Sequence, residues 1–277
     1  MSTDESLPKP HHRECIVPTT TNTPYIGITG FTTRDEVSAV LASLPESPAR
    51  LLMCGVLLSN ALLSGDASDA PNRCPHPDAI AGIFSDDPRC LNLIHYRPQP
   101  GDNLADALAR ASEVGGPNCH GVQINATRGV PWPDPAALVE YLERSQPRRI
   151  VLQAGREAMA SVDGDPARLA QRCAEYAGIV TDVLVDASEG LGLPLDANRS
   201  SEYLEALADT APDLGLVVAG GLHAGNIDEL LSPLLPRWAN VSIDAEGRLR
   251  DADDRLDAEV AVGYSRAAMG LLVQASR

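Results

Sequence analysis

Leu214-Gly-Leu-Val-Val-Ala-Gly-Gly-Leu-His-Ala-Gly-Asn-Ile227 is an apolar run that breaks into paired glycines and then restarts with helical spacing. Val217, Val218 and Ala219 are small or β-branched and carry no charge, which is the composition of a strand buried on both faces. Gly220 and Gly221 have no Cβ, so the backbone there can approach a ligand closely and turn its N–H groups toward an anion, most often phosphate. Asn226 to Leu231 then resumes a helical pattern. A plain tight turn is the alternative for any isolated Gly-Gly. Strand, paired glycines and helix in succession are also a common way for an α/β barrel to form a phosphate seat.

Outward from this stretch, strand and helix patterns alternate along the chain. Strands are expected at Tyr25–Thr29, Leu51–Leu58, Cys90–Tyr96, Gly121–Asn125, Arg149–Gln153, Val183–Asp186, Leu216–Ala219 and Ala239–Ile243. Helices are expected from Thr33 to Leu44, where Thr33 and Glu36 form a capping box, then at Pro77–Phe84, Asn103–Val114, Pro135–Arg144, Asp165–Ala177, Ser200–Thr210 and Arg255–Leu272. Residues from Ser59 to Pro77 read as a long polar loop of the kind that carries function. Eight repeats of strand and helix at this spacing predict a (β/α)8 TIM barrel rather than an open sheet.

The length of 277 residues suits one such domain. The barrel is expected over residues 25–277, preceded by a loosely attached tail, 1–24, whose Thr, Pro and charge show no periodicity. A formal charge of −16 repels nucleic acid and anionic membrane alike, so an anionic ligand must be held by local groups. The six cysteines are scattered, with no Cys-x-x-Cys pair and no secretory segment ahead of them, which predicts reduced thiols and a cytoplasmic protein. No apolar run approaches the ~20 residues of a membrane span. Cys74-Pro-His76 and the His11–His12 pair are too sparse for a metal site, and no nucleotide-cofactor fingerprint appears, so neither metal nor cofactor is expected.

In a barrel of this kind the strand ends face the site. The residues placed there are Thr29, the segment after Leu58, His95, Gln123, Asn125, Gln153, Asp186, Gly220 and Asp244. Asp186 is the strongest chemical candidate, because an acid closing an apolar strand is costly to bury without a purpose. The bland alternative is a carboxylate capping the amides of the next loop.

The second half of the chain resembles the phosphoribosylanthranilate isomerase family. Val183-Leu-Val-Asp186, Gly190-Leu-Gly192 and Leu195-Asp196 are similar to its sixth strand and glycine loop. Val217-Val-Ala-Gly-Gly-Leu-His-Ala-Gly-Asn226 is similar to its Leu-Ala-Gly-Gly-Leu-x-x-x-Asn motif, and Val241-Ser-Ile-Asp-Ala-Glu246 to its closing Val-Ser-Ser-Gly-Val-Glu. Upstream, Thr29-Gly-Phe-Thr32, Asn72-Arg73 with Pro77, and Gly121-Val-Gln-Ile-Asn125 fall in the family's order. The resemblance spans Tyr25 to the C-terminus and implies a barrel of the ribulose-phosphate-binding type, acting on an anionic or sugar-linked small molecule as monomer or homodimer.

What the resemblance implies chemically is an Amadori rearrangement in tryptophan biosynthesis. Asp186 falls on the family's general acid and Thr29 on its general base. Arg73 falls on the arginine that receives the anthranilate carboxylate. Gln123 and Asn125 line the substrate, and Gly220, Gly221 and Ser242 hold its phosphate. The departures shape the expectation. Thr29 replaces a cysteine base, and a hydroxyl ionises far above neutral pH, so it can orient a group but not take a carbon-bound proton unaided. Cys54, on the neighbouring strand, is the candidate substitute, against inert packing. Leu193 replaces a lysine and Asn125 a histidine. Asp244 replaces a phosphate-seat glycine; at ~4–5 Å and an effective dielectric of about 20, each unit charge on a phosphate would be repelled by roughly 3–4 kcal/mol. Asp244 must therefore point away, meet a cation or mark a ligand with a hydroxyl or amine instead. The expected activity is isomerase-type acid–base chemistry on a sugar-linked small molecule, with Asp186 as acid and Asp244 as second carboxylate. An epimerase, a lyase, the authentic isomerase or a noncatalytic binding barrel are the alternatives.

Overall fold

The computed structural model describes residues 23–46, 48–65, 71–125, 129–186 and 195–275. Most of the expected tail lies outside the described residues, as do Gly190, Gly192 and Leu193. The strands are β1 (Tyr25–Thr29), β2 (Leu51–Ser59), β3 (Cys90–Arg97), β4 (Gly121–Asn125), β5 (Arg149–Ala154), β6 (Asp182–Asp186), β7 (Gly215–Ala219) and β8 (Ser242–Ala245). Each pairs in parallel with the next and β8 closes on β1, which makes the (β/α)8 barrel. The helices in chain order are α1 (Arg34–Ala42), α2 (Asn60–Leu63), α3 (Ile80–Ile83), α4 (Leu104–Gly115), α5 (Pro135–Ser145), α6 (Arg156–Ser161), α7 (Pro166–Ala174), α8 (Ala197–Thr210), α9 (Ile227–Leu231) and α10 (Ala258–Ala275).

Local chemistry sets the helix starts. Glu36 N–H donates to Thr33 Oγ1 at 3.3 Å while Thr33 N–H donates to Glu36 Oε2 at 2.9 Å, the reciprocal box that satisfies two orphan amides of α1. Asp134, Asp165 and Asp196 cap α5, α7 and α8, with Pro135 and Pro166 in the first turn, where a missing N–H costs nothing. The outward side chains of the strands, among them Ile26, Ile28, Val56, Ile94, Ile124, Leu152, Val185 and Val218, pack against the helices in one continuous core.

Two features depart from the sequence reading. The stretch expected as loop holds α2, and a further helix, α6, follows β5. Strand eight also lies later than expected: Ala239 to Val241 stay outside the sheet, because the buried guanidinium of Arg50 donates to the carbonyls of Ala239 and Val241, the latter at 2.5 Å. The strand therefore starts at Ser242, and Asp244 sits within it rather than beyond its tip.

The inner wall of the barrel is apolar in its lower half, with Tyr25, Met53, Leu91, Leu93, Val151, Leu184 and Val217 packed together. Arg149 and Asp182 close the bottom as a buried bidentate pair at 2.6 and 2.7 Å. Among the described residues no helix is long and apolar enough to cross a membrane.

Candidate active site

Side chains on a barrel's inner wall stack in layers, with alternate strands contributing to each. The strand register puts Gly55, Gln123, Leu184 and Asp244 in one layer and Thr29, His95, Gln153 and Ala219 in the layer above. Asp186 and Asn125 stand higher still, at the ends of β6 and β4. The polar residues recur at every second position, Gln123 with Asn125 and Asp182 with Asp186 about Leu184, because period two is what keeps a strand residue on the inner face.

Asp244 is the centre of the polar network. Its carboxylate accepts Thr29 Oγ1–H at 3.1 and 3.2 Å and Gln123 Nε2–H at 3.1 Å, and Gln123 Nε2 also donates to Gln153 Oε1 at 3.2 Å. Asp244 is 5% exposed. Burial pushes its carboxyl up from an ordinary 3.8 to about 7, with the charge of Glu246 adding to the rise and the bonds from Gln123 and Thr29 holding it back. Gly27, its partner on β1, leaves room for it: a Cβ there would lie 2.7 Å from Asp244 Oδ1.

Asp186 is buried and stands in register with Ala219, which is in register with Asp244. The two acids thus flank a small side chain on alternate strands, with backbones roughly 9–10 Å apart at ordinary strand spacing. Gly220 and Gly221 follow β7 on the same rim, with φ of 141° and 52°, values that favour glycine. The Gly220 carbonyl accepts Leu195 N–H at 3.2 Å and the Gly221 carbonyl accepts Asn226 Nδ2–H at 2.9 Å, which fixes the turn.

Other expected residues are placed differently. Ser242 is the first residue of β8, and its hydroxyl accepts Tyr25 N–H at 3.0 Å, at the foot of the barrel and away from the glycine rim. The shifted strand boundary is the reason. Arg73 reaches the mouth with its fork already engaged: Asp254 accepts at 2.6 and 2.7 Å and Glu246 at 2.9 Å. Glu246 also takes Arg250 at 3.1 Å, and Arg250 donates to the carbonyl of Thr29 at 3.3 Å. Cys54 faces the helices, not the site; its Sγ lies 3.8 Å from Cys90 Sγ, and burial pushes its thiol well up. It is packing, and not a substitute base.

His95 was placed at the site by its position on the strand, but its state needed the structure. Burial pulls its pKa down to about 4, so the imidazole is neutral at ordinary pH. The Glu246–Arg73–Arg250–Asp254 network was not anticipated, because it joins β8 and its following loop to residues far away in the chain. Among the described residues no cluster of His, Cys, Asp and Glu is arranged to hold a metal ion.

The barrel has counterparts among solved structures, although no family model and no curated protein matches the chain. The fold neighbours include phosphoribosylanthranilate isomerases. The enzyme from Thermus thermophilus superposes with a TM-score of 0.58 at 16% identity, over 90% of this chain and 98% of that one. A phosphoribosylanthranilate isomerase in complex with reduced 1-(o-carboxyphenylamino)-1-deoxyribulose 5-phosphate gives 0.60 at 13%, over 90% and 100%. A putative copper homeostasis protein, CutC, from Streptococcus agalactiae gives 0.50 at 13%, over 82% and 100%. Identities this low establish the shared barrel and leave the chemistry to the residues.

Proposed function

We propose that this chain is an isomerase-type barrel enzyme that moves protons on a sugar-linked small molecule, with Asp186 as general acid and Asp244 as general base. The observation that carries the reading is the environment of Asp244. A carboxyl with a pKa of about 7 is partly ionised at neutral pH, the condition under which a base both exists in its active form and binds a proton well. The base position of the resembled family falls on Thr29, which lacks the basicity. Thr29 donates its hydroxyl hydrogen to Asp244, and β1 and β8 are neighbours in the closed sheet. The base function is thereby moved one strand over, and Thr29 becomes the group that orients it.

In an aldose-to-ketose rearrangement of a sugar-linked amine, the ring oxygen takes a proton from Asp186 as its bond to C1 breaks, leaving an iminium. Asp244 then removes the C2 proton, its electron pair forming the C1–C2 double bond of an enolamine that tautomerises to the ketone. Gln123 holds Asp244 in place from the opposite wall. Gly220 and Gly221 would receive a terminal phosphate where the ligand has one. Asp244 lies a layer beneath that rim, so its charge does not stand directly in the seat.

The test is deuterium wash-in: the protein is incubated in D2O with a panel of N-ribosylated arylamines, with and without a 5-phosphate, and C2 exchange and ketose formation are followed by NMR. Asp186→Asn and Asp244→Asn should each lower the exchange rate at least ~100-fold, the usual size of a lost acid or base. Exchange that persists in both variants would remove the two carboxyls from the chemistry. The narrower reading, an authentic phosphoribosylanthranilate isomerase, is favoured by the neighbour solved with a carboxyphenylamino-deoxyribulose phosphate. Growth of a tryptophan auxotroph lacking that isomerase would support it, and absence of growth from a well-expressed chain would exclude it.

A further inference from the structure

Among the described residues, two buried polar atoms in the upper half of the inner wall have no partner: Gln123 Oε1 and His95 Nδ1. They belong to residues directly in register on β4 and β3 and to adjacent layers of the barrel. Side chains buried to this degree, 1% and 4% exposed, are ordinarily satisfied. The orientation of the Gln123 amide is set by its neighbours, because its Nε2 donates to two oxygens, Asp244 Oδ2 and Gln153 Oε1, and a reversed amide would turn its oxygen on a carboxylate. Its free oxygen is therefore an acceptor. A neutral imidazole carries one donor and one acceptor nitrogen, so His95 Nδ1 is a second unmet polar atom beside it. The wall between β3 and β4 thus calls for a hydrogen-bond donor at Gln123 and a polar partner at His95.

Two arginines at the mouth, Arg73 and Arg250, are not spare for an anionic ring substituent. Arg73 and Arg250 are met by Glu246 and Asp254, two cations against two carboxylates, and the acids Asp186 and Asp244 stand below. Opposite the β3–β4 wall the side chain in register between Asp186 and Asp244 is small, Ala219 on β7.

We infer that the ring portion of the ligand carries an uncharged or cationic donor group, such as a carboxamide or amine, that is received by Gln123 and His95, and not a carboxylate received by Arg73. The inference rests on the acid–base reading only for where the ligand lies. It narrows the substrate to sugar-linked compounds whose aglycone donates hydrogen bonds.

The matched probes are 2-aminobenzamide and 2-aminobenzoate, which differ only in carboxamide against carboxylate, titrated by calorimetry into the full-length protein. The amide is expected to bind at least tenfold more tightly. Gln123→Met and His95→Phe should each cut that preference by fivefold or more, while Arg73→Ala leaves it unchanged. Circular dichroism and thermal melting establish that each variant is folded, and either wall variant alone suffices for the comparison. Tighter binding of the carboxylate, equal binding, no binding of either probe, or a preference that survives both wall variants and falls with Arg73→Ala would overturn the inference. Turnover plays no part in these titrations. An amide preference together with exchange that ignores Asp186 and Asp244 would sink the acid–base reading and leave this inference standing; the converse pair of results would do the reverse.

Discussion

Asp244 holds its proton far more tightly in the folded chain than in an unfolded one, where a carboxyl titrates near 4. With the folded pKa raised, the native state retains a proton that the unfolded state releases between about pH 4 and 7, so this group makes stability fall as pH rises through that window and level off above it. The full effect is about 4 kcal/mol for a shift of about 3 units. Asp244→Asn, which cannot ionise, should gain on the parent chain by several kcal/mol between pH 4 and pH 8 in denaturant melts. Parallel pH profiles for the two proteins would show that Asp244 is not a buried, high-pKa acid. The hydroxyl of Thr29 favours the ionised form, so Thr29→Ala should move the carboxyl's midpoint upward, as read from the acid limb of any activity profile.

Among the elements, β1 and β8 are held in contact by a position that tolerates no side chain. A Cβ on Gly27 would meet Asp244 Oδ1 at 2.7 Å, Met53 Cε at 2.8 Å and the backbone oxygen of Ile243 at 2.9 Å. Since one of these is backbone, Gly27→Ala should cost about 1–3 kcal/mol or more by overpacking and displace Asp244. An unchanged melting temperature would mean that the strands are not seated this closely. At the N-terminus of α1, Thr33→Ala should cost about 1 kcal/mol by losing the cap. The sequence was most legible at this scale where one signal dominated: the Thr33 box, the glycine stop after β7, and the apolar strands β1 and β4, whose bounds agree with expectation. It was least legible at β8. The apolar look of Ala239 to Val241 resembles a strand, but a buried arginine far earlier in the chain, Arg50, takes their carbonyls. That single misplacement carried Ser242 to the wrong end of the barrel in the reading. The ion pairs of Arg73 were illegible for the same kind of reason, since its partners Glu246 and Asp254 lie beyond the reach of any local pattern.

Across the whole molecule the barrel divides into a structural foot and a reactive mouth. At the foot, Arg149 pairs bidentately with Asp182 beneath the Tyr25 ring, with both charged side chains at most 7% exposed. Removing one partner leaves an uncompensated buried charge, so Asp182→Ala should cost about 3–5 kcal/mol. It should leave ligand affinity per folded molecule unchanged, because the apolar side chains of Leu93, Val151 and Val217 lie between its level and that of Asp244. Loss of affinity without loss of stability would mean that foot and mouth are not independent. The mouth, by contrast, concentrates two inward acids in a chain already at net −16, an arrangement that costs stability and that one partly protonated carboxyl makes bearable. The most direct test is therefore a 13C NMR titration of the Asp244 carboxyl in the intact protein, assigned by its disappearance in Asp244→Asn. The account predicts a midpoint near 7; a midpoint at about 4, the ordinary carboxylate value, would contradict it.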